Sequence, residues 1–256
     1  MNLSALEAEL DRWTSQPTGA TLWWRDDDAV AATPALDRLL GLCTSHGVPL
    51  ALAVVPARLQ SSVVKVIDDA PLLTVLQHGF AHANHAPPNA KKSELTTHRP
   101  REATFAELAR GHDRLTDAFG SRHVPVLVPP WNRIDASLVA ALPEIGLDGL
   151  STFGPRAQRT AAATIVQCNT HVDPISWRAG RRFIGGQKAA ERIAQHLRER
   201  REGVVDATEP TGLLTHHLDF DDDAFAFVDA LFAMTQAHAA TSWLAATDAL
   251  TFGRSA

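Results

Sequence analysis

Cysteine is nearly absent: 256 residues hold only Cys43 and Cys168, without CxxC spacing. That argues against a disulfide framework and fits buried thiols in a reducing compartment, so a cytoplasmic location is expected. No window approaches the roughly 18 consecutive apolar residues of a membrane-spanning helix, and no basic segment followed by an apolar one opens the chain. Neither a membrane span nor a secretion signal is expected. No glycine-rich GxGxxG follows the first β-prone run, which removes the main support for a dinucleotide-binding fold. Repeats and low-complexity segments are lacking too. Nor is there a basic excess: the formal charge is -5, with Lys and Arg mixed among Asp and Glu, which argues against nucleic acid or an anionic membrane as partner. The one dense basic run, "RERRE" (198–202), reads as a solvated helix face.

What is present is a chain with 45% hydrophobic residues, enough for one α/β domain of barrel size spanning 1–256. Residues 1–20 read as a helical extension, with "SALE" (4–7) matching a capping box. Apolar runs of strand length alternate with segments of helical period. Strands are expected near 21–25, 49–55, 72–76, 124–128, 148–152, 164–169 and 212–216. The clearest helix is "TPALDRLLGLCTSHG" (33–47), with Thr33 as N-cap, Pro34 at the first helical position and Gly47 as stop. Others are expected over 104–120, 186–203 and 222–238. The loop from Gly79 to Pro100 exceeds the usual βα connection, and such loops are commonly functional. Polar clusters at Asp26–Asp28, His78–His85, Trp131–Arg133 and His216–His217 each follow a predicted strand. In a closed parallel barrel all strand carboxyl ends share one face, so these clusters converge. Alternating strands and helices can build an open doubly wound sheet or a closed barrel; the missing GxGxxG and the converging clusters favour a barrel of about seven parallel strands.

The stretch "LWWRDDDAV" crowds Asp26, Asp27 and Asp28 behind an apolar run, and like charges so close need something that wants negative charge. "QHGFAH" supplies His78 and His82 at a spacing of four, which puts both imidazoles on one side if a helical turn begins after the strand. Two histidines and one carboxylate on one face of a cation leave positions for water and substrate, and suit Zn, Fe, Co or Mn. Such a cation acidifies water toward neutrality, and hydrolysis is its natural use. Alone, the triplet also reads as a solvated turn or cap and the His pair as a chance spacing. Their joint place after strands one and three favours the site.

These motifs, in this order, resemble the polysaccharide deacetylases, metal-dependent hydrolases on a distorted (β/α) barrel. "RDDDA" (25–29) aligns with the family's Thr-Phe-Asp-Asp-Gly, and the resemblance makes Asp27 the catalytic base and Asp28 a metal ligand. A register slipped by one would make Asp26 the base and Asp27 the ligand. "HGFAH" is similar to His-Ser/Thr-x-x-His and carries two ligand roles to His78 and His82. "VPPW" (128–131) resembles Arg-x-Pro-Tyr, with Trp131 offering its backbone N–H to an oxyanion. "LLTHH" (213–217) resembles the Leu-rich run ending in the general acid, here His216. "HVDPISW" (171–177) resembles the Asp-Trp segment that supports that acid. Val128 stands where the family has the arginine that pairs with the base, so that support comes from Arg25 or Arg133 or is absent. Arg25, Trp131, Asn132 and Arg133 are the expected substrate-binding residues, while His85 and His217 are second choices for ligand and acid.

The resemblance implies one divalent cation, zinc first, with cobalt, manganese or iron as alternatives. It implies hydrolysis of a C–N amide bond, foremost N-deacetylation of a sugar or related small substrate. The same water chemistry could open a cyclic amide or remove a formyl group, and a ligand-binding member without turnover is a further alternative, motivated by the missing arginine.

Overall fold

The computed structural model describes residues 2–162 and 164–251; Met1, Ala163 and residues 252–256, within the expected 1–256 domain, lie outside the described residues. In chain order the elements are α1 (Ser4–Trp13), β1 (Ala20–Ala29), α2 (Pro34–His46), β2 (Leu50–Val54), α3 (Ser61–Asp68), β3 (Leu73–His78), α4 (Arg101–Phe119) and β4 (His123–Val128). Then come α5 (Ala136–Val139), β5 (Gly149–Leu150), β6 (Thr160–Ala162), β7 (Ile165–Gln167), β8 (Ile175–Ser176) and β9 (Arg182–Phe183). The chain continues through α6 (Gly186–Arg201), β10 (Thr211–Thr215), α7 (Asp222–Ala237), β11 (Thr241–Leu244) and α8 (Ala246–Thr251).

Seven strands, in the order β10-β1-β2-β3-β4-β5-β7, pair in parallel. The sheet closes without an eighth full strand. Beyond β7 the chain reaches Val172, which bridges Leu213 of β10, while Thr170 bridges Phe153 beyond β5. The barrel is therefore real but irregular on that side. β11 pairs with the first half of β1, Ala20 to Trp23, and β2 takes the second half from Arg25 onward. The sequence reading missed β11, a short half-exposed strand.

Alternation along the parallel strands sorts side chains between two cores. Trp23, Ala51, Ala53, Leu76, Val126, Val128 and Cys168 pack together inside the barrel, with Ala246 and Ala249 of α8 beneath them. Leu22, Trp24, Leu50, Leu52, Val54 and Val75 face outward onto the helices. α2 forms as its sequence dictates: Thr33 Oγ1 accepts the Leu36 N–H at 3.1 Å, Pro34 opens the helix, and Gly47 ends it at φ 63°.

At the amino end one expectation needs correction. Ser4 does not cap α1, because Asn2 Oδ1 accepts both the Ser4 N–H and its hydroxyl. In α1, Leu6, Leu10 and Trp13 are buried in the main core, each contributing about 1.5–3 kcal/mol of apolar burial. No described helix is long and apolar enough to cross a membrane.

Candidate metal centre

The three adjacent carboxylates are separated by the geometry of β1. The register against β2 runs Asp26↔Leu52 and then Ala29↔Val54, so one extra residue bulges on β1, and Asp28 sits there at φ 72°. A bulge breaks strict alternation and re-aims a side chain. Asp26, in phase with Leu22 and Trp24, points outward. Its Oδ2 accepts the Thr215 hydroxyl at 2.7 Å and the His217 N–H at 3.0 Å, and its Oδ1 accepts from His217 Nδ1. Asp27, in phase with Trp23 and Arg25, points into the barrel and is gripped by the Arg25 guanidinium through Nε at 2.8 Å and Nη2 at 3.0 Å. Asp28 turns to the histidines. Each carboxylate has its own cationic or imidazole partner, which removes the repulsion the sequence raised.

Asp28 Oδ1 lies 3.2 Å from His78 Nε2 and 3.2 Å from His82 Nε2. One ligand atom from each of the three residues falls within 4.8 Å of the others. His78 Nδ1 donates to the Val128 carbonyl at 3.0 Å. A carbonyl can only accept, so Nδ1 carries a proton and Nε2 is left facing Asp28, donating to the carboxylate when the ring is charged and offering its lone pair to a cation when the ring is neutral. Burial opposes ionisation of Asp28, but the hydrogen bond and charge of His78, with His82 and His216, outweigh it and hold its carboxyl well below the usual range. Burial likewise disfavours the His78 imidazolium, yet Asp27 and Asp28 raise its pKa. Burial and the neighbouring His78 lower that of His82. This donor set and spacing can hold a divalent cation.

His78 and His82 do not converge through a helical turn, as their spacing suggested. His78 is the last residue of β3, Gly79 turns at φ 55°, and His82 itself is left-handed at φ 56°. Trp131 and Asn132 are left-handed as well, so four of the five non-glycine residues at positive φ among the described residues line this site. Such conformations cost about 1–3 kcal/mol each and gather where geometry is imposed for function.

The second polar centre lies at the end of β10. His216 and His217 take opposite faces. His217 turns outward to Asp26. His216 Nδ1 is 3.8 Å from Asp173 Oδ2, and its ring meets Trp177 edge-on at 4.6 Å. Asp173 accepts from Trp177 Nε1 at 2.6 Å and from the Ile175 N–H at 2.8 Å. Burial raises the Asp173 pKa against the opposing pull of His216 and these donors.

The remaining expected residues are placed as follows. Arg25 is fully buried, and beyond Asp27 it donates to Ser151 Oγ at 2.7 Å and Asn132 Oδ1 at 2.7 Å. It supplies the guanidinium that Val128 cannot. Asn132 is correspondingly occupied with Arg25. Arg133 faces away, donating to the Lys92 carbonyl at 2.9 Å, and makes no contact with Asp27. The Trp131 ring packs 4.3 Å from that of His82. His85 stays outside the three-residue group, its N–H held by the Ser93 carbonyl at 2.9 Å. The slipped register also fails on geometry, because Asp26 points away from the histidines and Asp27 is held by Arg25. Sequence reasoning missed Glu94, whose carboxylate accepts the Phe80 and Ala81 N–H groups. Its only signal was a lone acid in a loop rich in Lys and His.

Compared with solved structures, the chain superposes over most of its length. A protein from Mycobacterium smegmatis named as a polysaccharide deacetylase matches with a TM-score of 0.65 at 15% identity, over 92% of this chain and 91% of that one. The chain has the polysaccharide deacetylase fold. A family 4 acetyl xylan esterase from Clostridium thermocellum, in complex with a cobalt ion, matches with a TM-score of 0.57 at 13% identity, over 90% of each chain. A family 4 pseudoenzyme matches with a TM-score of 0.59 at 15% identity, over 92% of this chain and 68% of that one. No family model and no curated protein matches the sequence.

Proposed function

We propose that this chain is a divergent member of the polysaccharide deacetylases and hydrolyses an amide C–N bond, foremost by N-deacetylation of a cytoplasmic sugar or related small substrate. The carrying observation is that Asp28, His78 and His82 lie together beside the Asp27–Arg25 pair, with the His216–Asp173 pair following β10 at the same end of the barrel. Asp28, His78 and His82 would hold the cation, zinc first, and when bound it supplies a Lewis acid for the acyl group.

The chain's own residues perform the rest. Asp27 takes the proton of the attacking water, held in aim by the two hydrogen bonds from Arg25. The Trp131 backbone N–H serves the developing oxyanion. His216 gives a proton to the departing amine, oriented by Asp173. His216 Nδ1 is buried with no hydrogen-bond partner, and catalytic bonds of this kind tighten when substrate excludes water.

A ligand-binding role without turnover is the second reading, favoured by the pseudoenzyme of the same fold. The absent motif arginine no longer supports it, since Arg25 takes that place. One panel separates the readings: purified protein loaded with zinc or cobalt is given N-acetyl sugars, N-formyl compounds and cyclic amides, and acetate, formate and ammonia are measured. Acetate release is expected, falling by roughly two to four orders of magnitude in Asp27→Asn, the range for losing a general base. Saturable binding of an N-acetyl sugar without release of any product would favour the second reading.

A further inference from the structure

The turn that carries His82 belongs to no helix and no sheet ladder. Gly79 and His82 are both left-handed, so the intervening amides need partners from elsewhere. Those partners come from one side chain. Glu94 Oε2 accepts the Phe80 N–H at 3.1 Å, and Oε1 accepts the Ala81 N–H at 2.8 Å. The Glu94 side chain is buried, at 1% exposure.

The carboxylate is fixed at its own end too. Leu95 bridges Ile134 and its carbonyl accepts the Asp135 N–H at 2.9 Å. Ser93 pairs back to His85 and to Asn84 Oδ1, at 2.9 and 3.0 Å. The long loop is thus a strap, folded over and pinned so that Glu94 faces the His82 turn. Gly79 is part of the same fit, because a Cβ there would overlap the Glu94 carboxylate and come within 2.6 Å of the Pro130 ring. The negative charge also reaches the His82 imidazole.

We propose that Glu94 is a positioning residue that acts through the Phe80 and Ala81 amides to hold His82 in its ligating pose, and so sets the cation affinity of the centre. Burying a carboxylate is costly unless it is hydrogen-bonded, and here the bonds go to the backbone that orients His82. Groups that orient a ligating histidine typically change metal affinity by about 10- to 100-fold. The inference rests on the metal reading above and is independent of which acyl substrate is cleaved.

The test is a titration of metal-free full-length protein with Co²⁺, followed by visible absorption, for the wild type, Glu94→Gln, His82→Ala and the double variant. Glutamine keeps the shape but turns an N–H donor toward the amides that one of the two carboxylate oxygens accepts, Phe80 at Oε2 or Ala81 and Ala83 at Oε1. Affinity is expected to fall about 10- to 100-fold in Glu94→Gln, and to fall no further when Glu94→Gln is added to His82→Ala. Circular dichroism checks the fold, and Glu94→Asp, which draws the charge back from the amides, substitutes if Glu94→Gln does not fold; the same loss is expected. Unchanged affinity in Glu94→Gln would overturn the inference. So would an undiminished loss in the His82→Ala background, which would mean that Glu94 supports the fold and not His82. A wild type that binds no Co²⁺ would overturn the metal reading itself, a distinguishable result.

Discussion

Arg25 and Asp27 form a buried pair whose energetics can be worked from its contacts. Arg25→Leu leaves the Asp27 carboxylate, only 2% exposed, without its two charged hydrogen bonds, and deprives Asn132 Oδ1 and Ser151 Oγ of their donor. Breaking a buried pair from one side costs about 3–5 kcal/mol, a large share of the roughly 5–15 kcal/mol that stabilises a domain. Asp27→Asn leaves the guanidinium its bonds to Ser151 and Asn132 and should cost about 1–3 kcal/mol. In Arg25→Leu with Asp27→Asn neither charge is orphaned. The double variant should therefore be more stable than the sum of the singles by about 2–3 kcal/mol. Urea unfolding of all four proteins in chelator, followed by circular dichroism, measures the coupling. Additivity within about 0.5 kcal/mol would refute the claim that Arg25 neutralises Asp27.

Other outcomes follow from the same geometry. His216→Ala should abolish most amide hydrolysis while leaving the melting temperature nearly unchanged. His217→Ala, which strips the buried Asp26 of its imidazole partner, should lower stability by about 3–5 kcal/mol, read by thermal unfolding. Gly79→Ala should cost cation affinity more than fold, because its Cβ meets Glu94 and Pro130 in a left-handed turn; isothermal titration with Zn²⁺ checks this. The raised pKa of His78 means that a cation must displace a proton from it on acidification. Affinity should fall as pH drops through the raised His78 value, with proton release on binding there, whereas Asp28, held low, stays ionised throughout. Affinity independent of pH between about 5 and 8 would contradict this assignment, since ligating imidazole must be neutral.

Much of the barrel could be read from the chain because parallel strands buried on both faces leave apolar runs, and all seven predicted runs overlap the seven parallel strands. The grouping of Asp28 with His78 and His82 was reachable too, since strand carboxyl ends share a face. How they converge was not. The bulge at Asp28 and the left-handed His82, Trp131 and Asn132 are backbone states uncommon outside glycine, and a single Asp, His or Asn does not mark where a chain adopts them. The role of Arg25 was hidden for a related reason. A guanidinium two residues before Asp27 reaches it because both side chains point into the barrel. Glu94 was invisible because its bonds go to backbone amides, which carry no sequence signature. The capping box failed since Asn2, two residues earlier, accepts the Ser4 donors.

The assignment of the three carboxylates to separate tasks is tested most directly by metal content. Wild type, Asp26→Asn, Asp27→Asn and Asp28→Asn should each be purified, loaded with zinc, dialysed and analysed for metal against protein. With one set of three protein ligands, about one ion per chain is expected in the wild type, Asp26→Asn and Asp27→Asn, and close to none in Asp28→Asn. Full occupancy in Asp28→Asn, or loss of the ion in Asp27→Asn with the fold intact, would contradict the account.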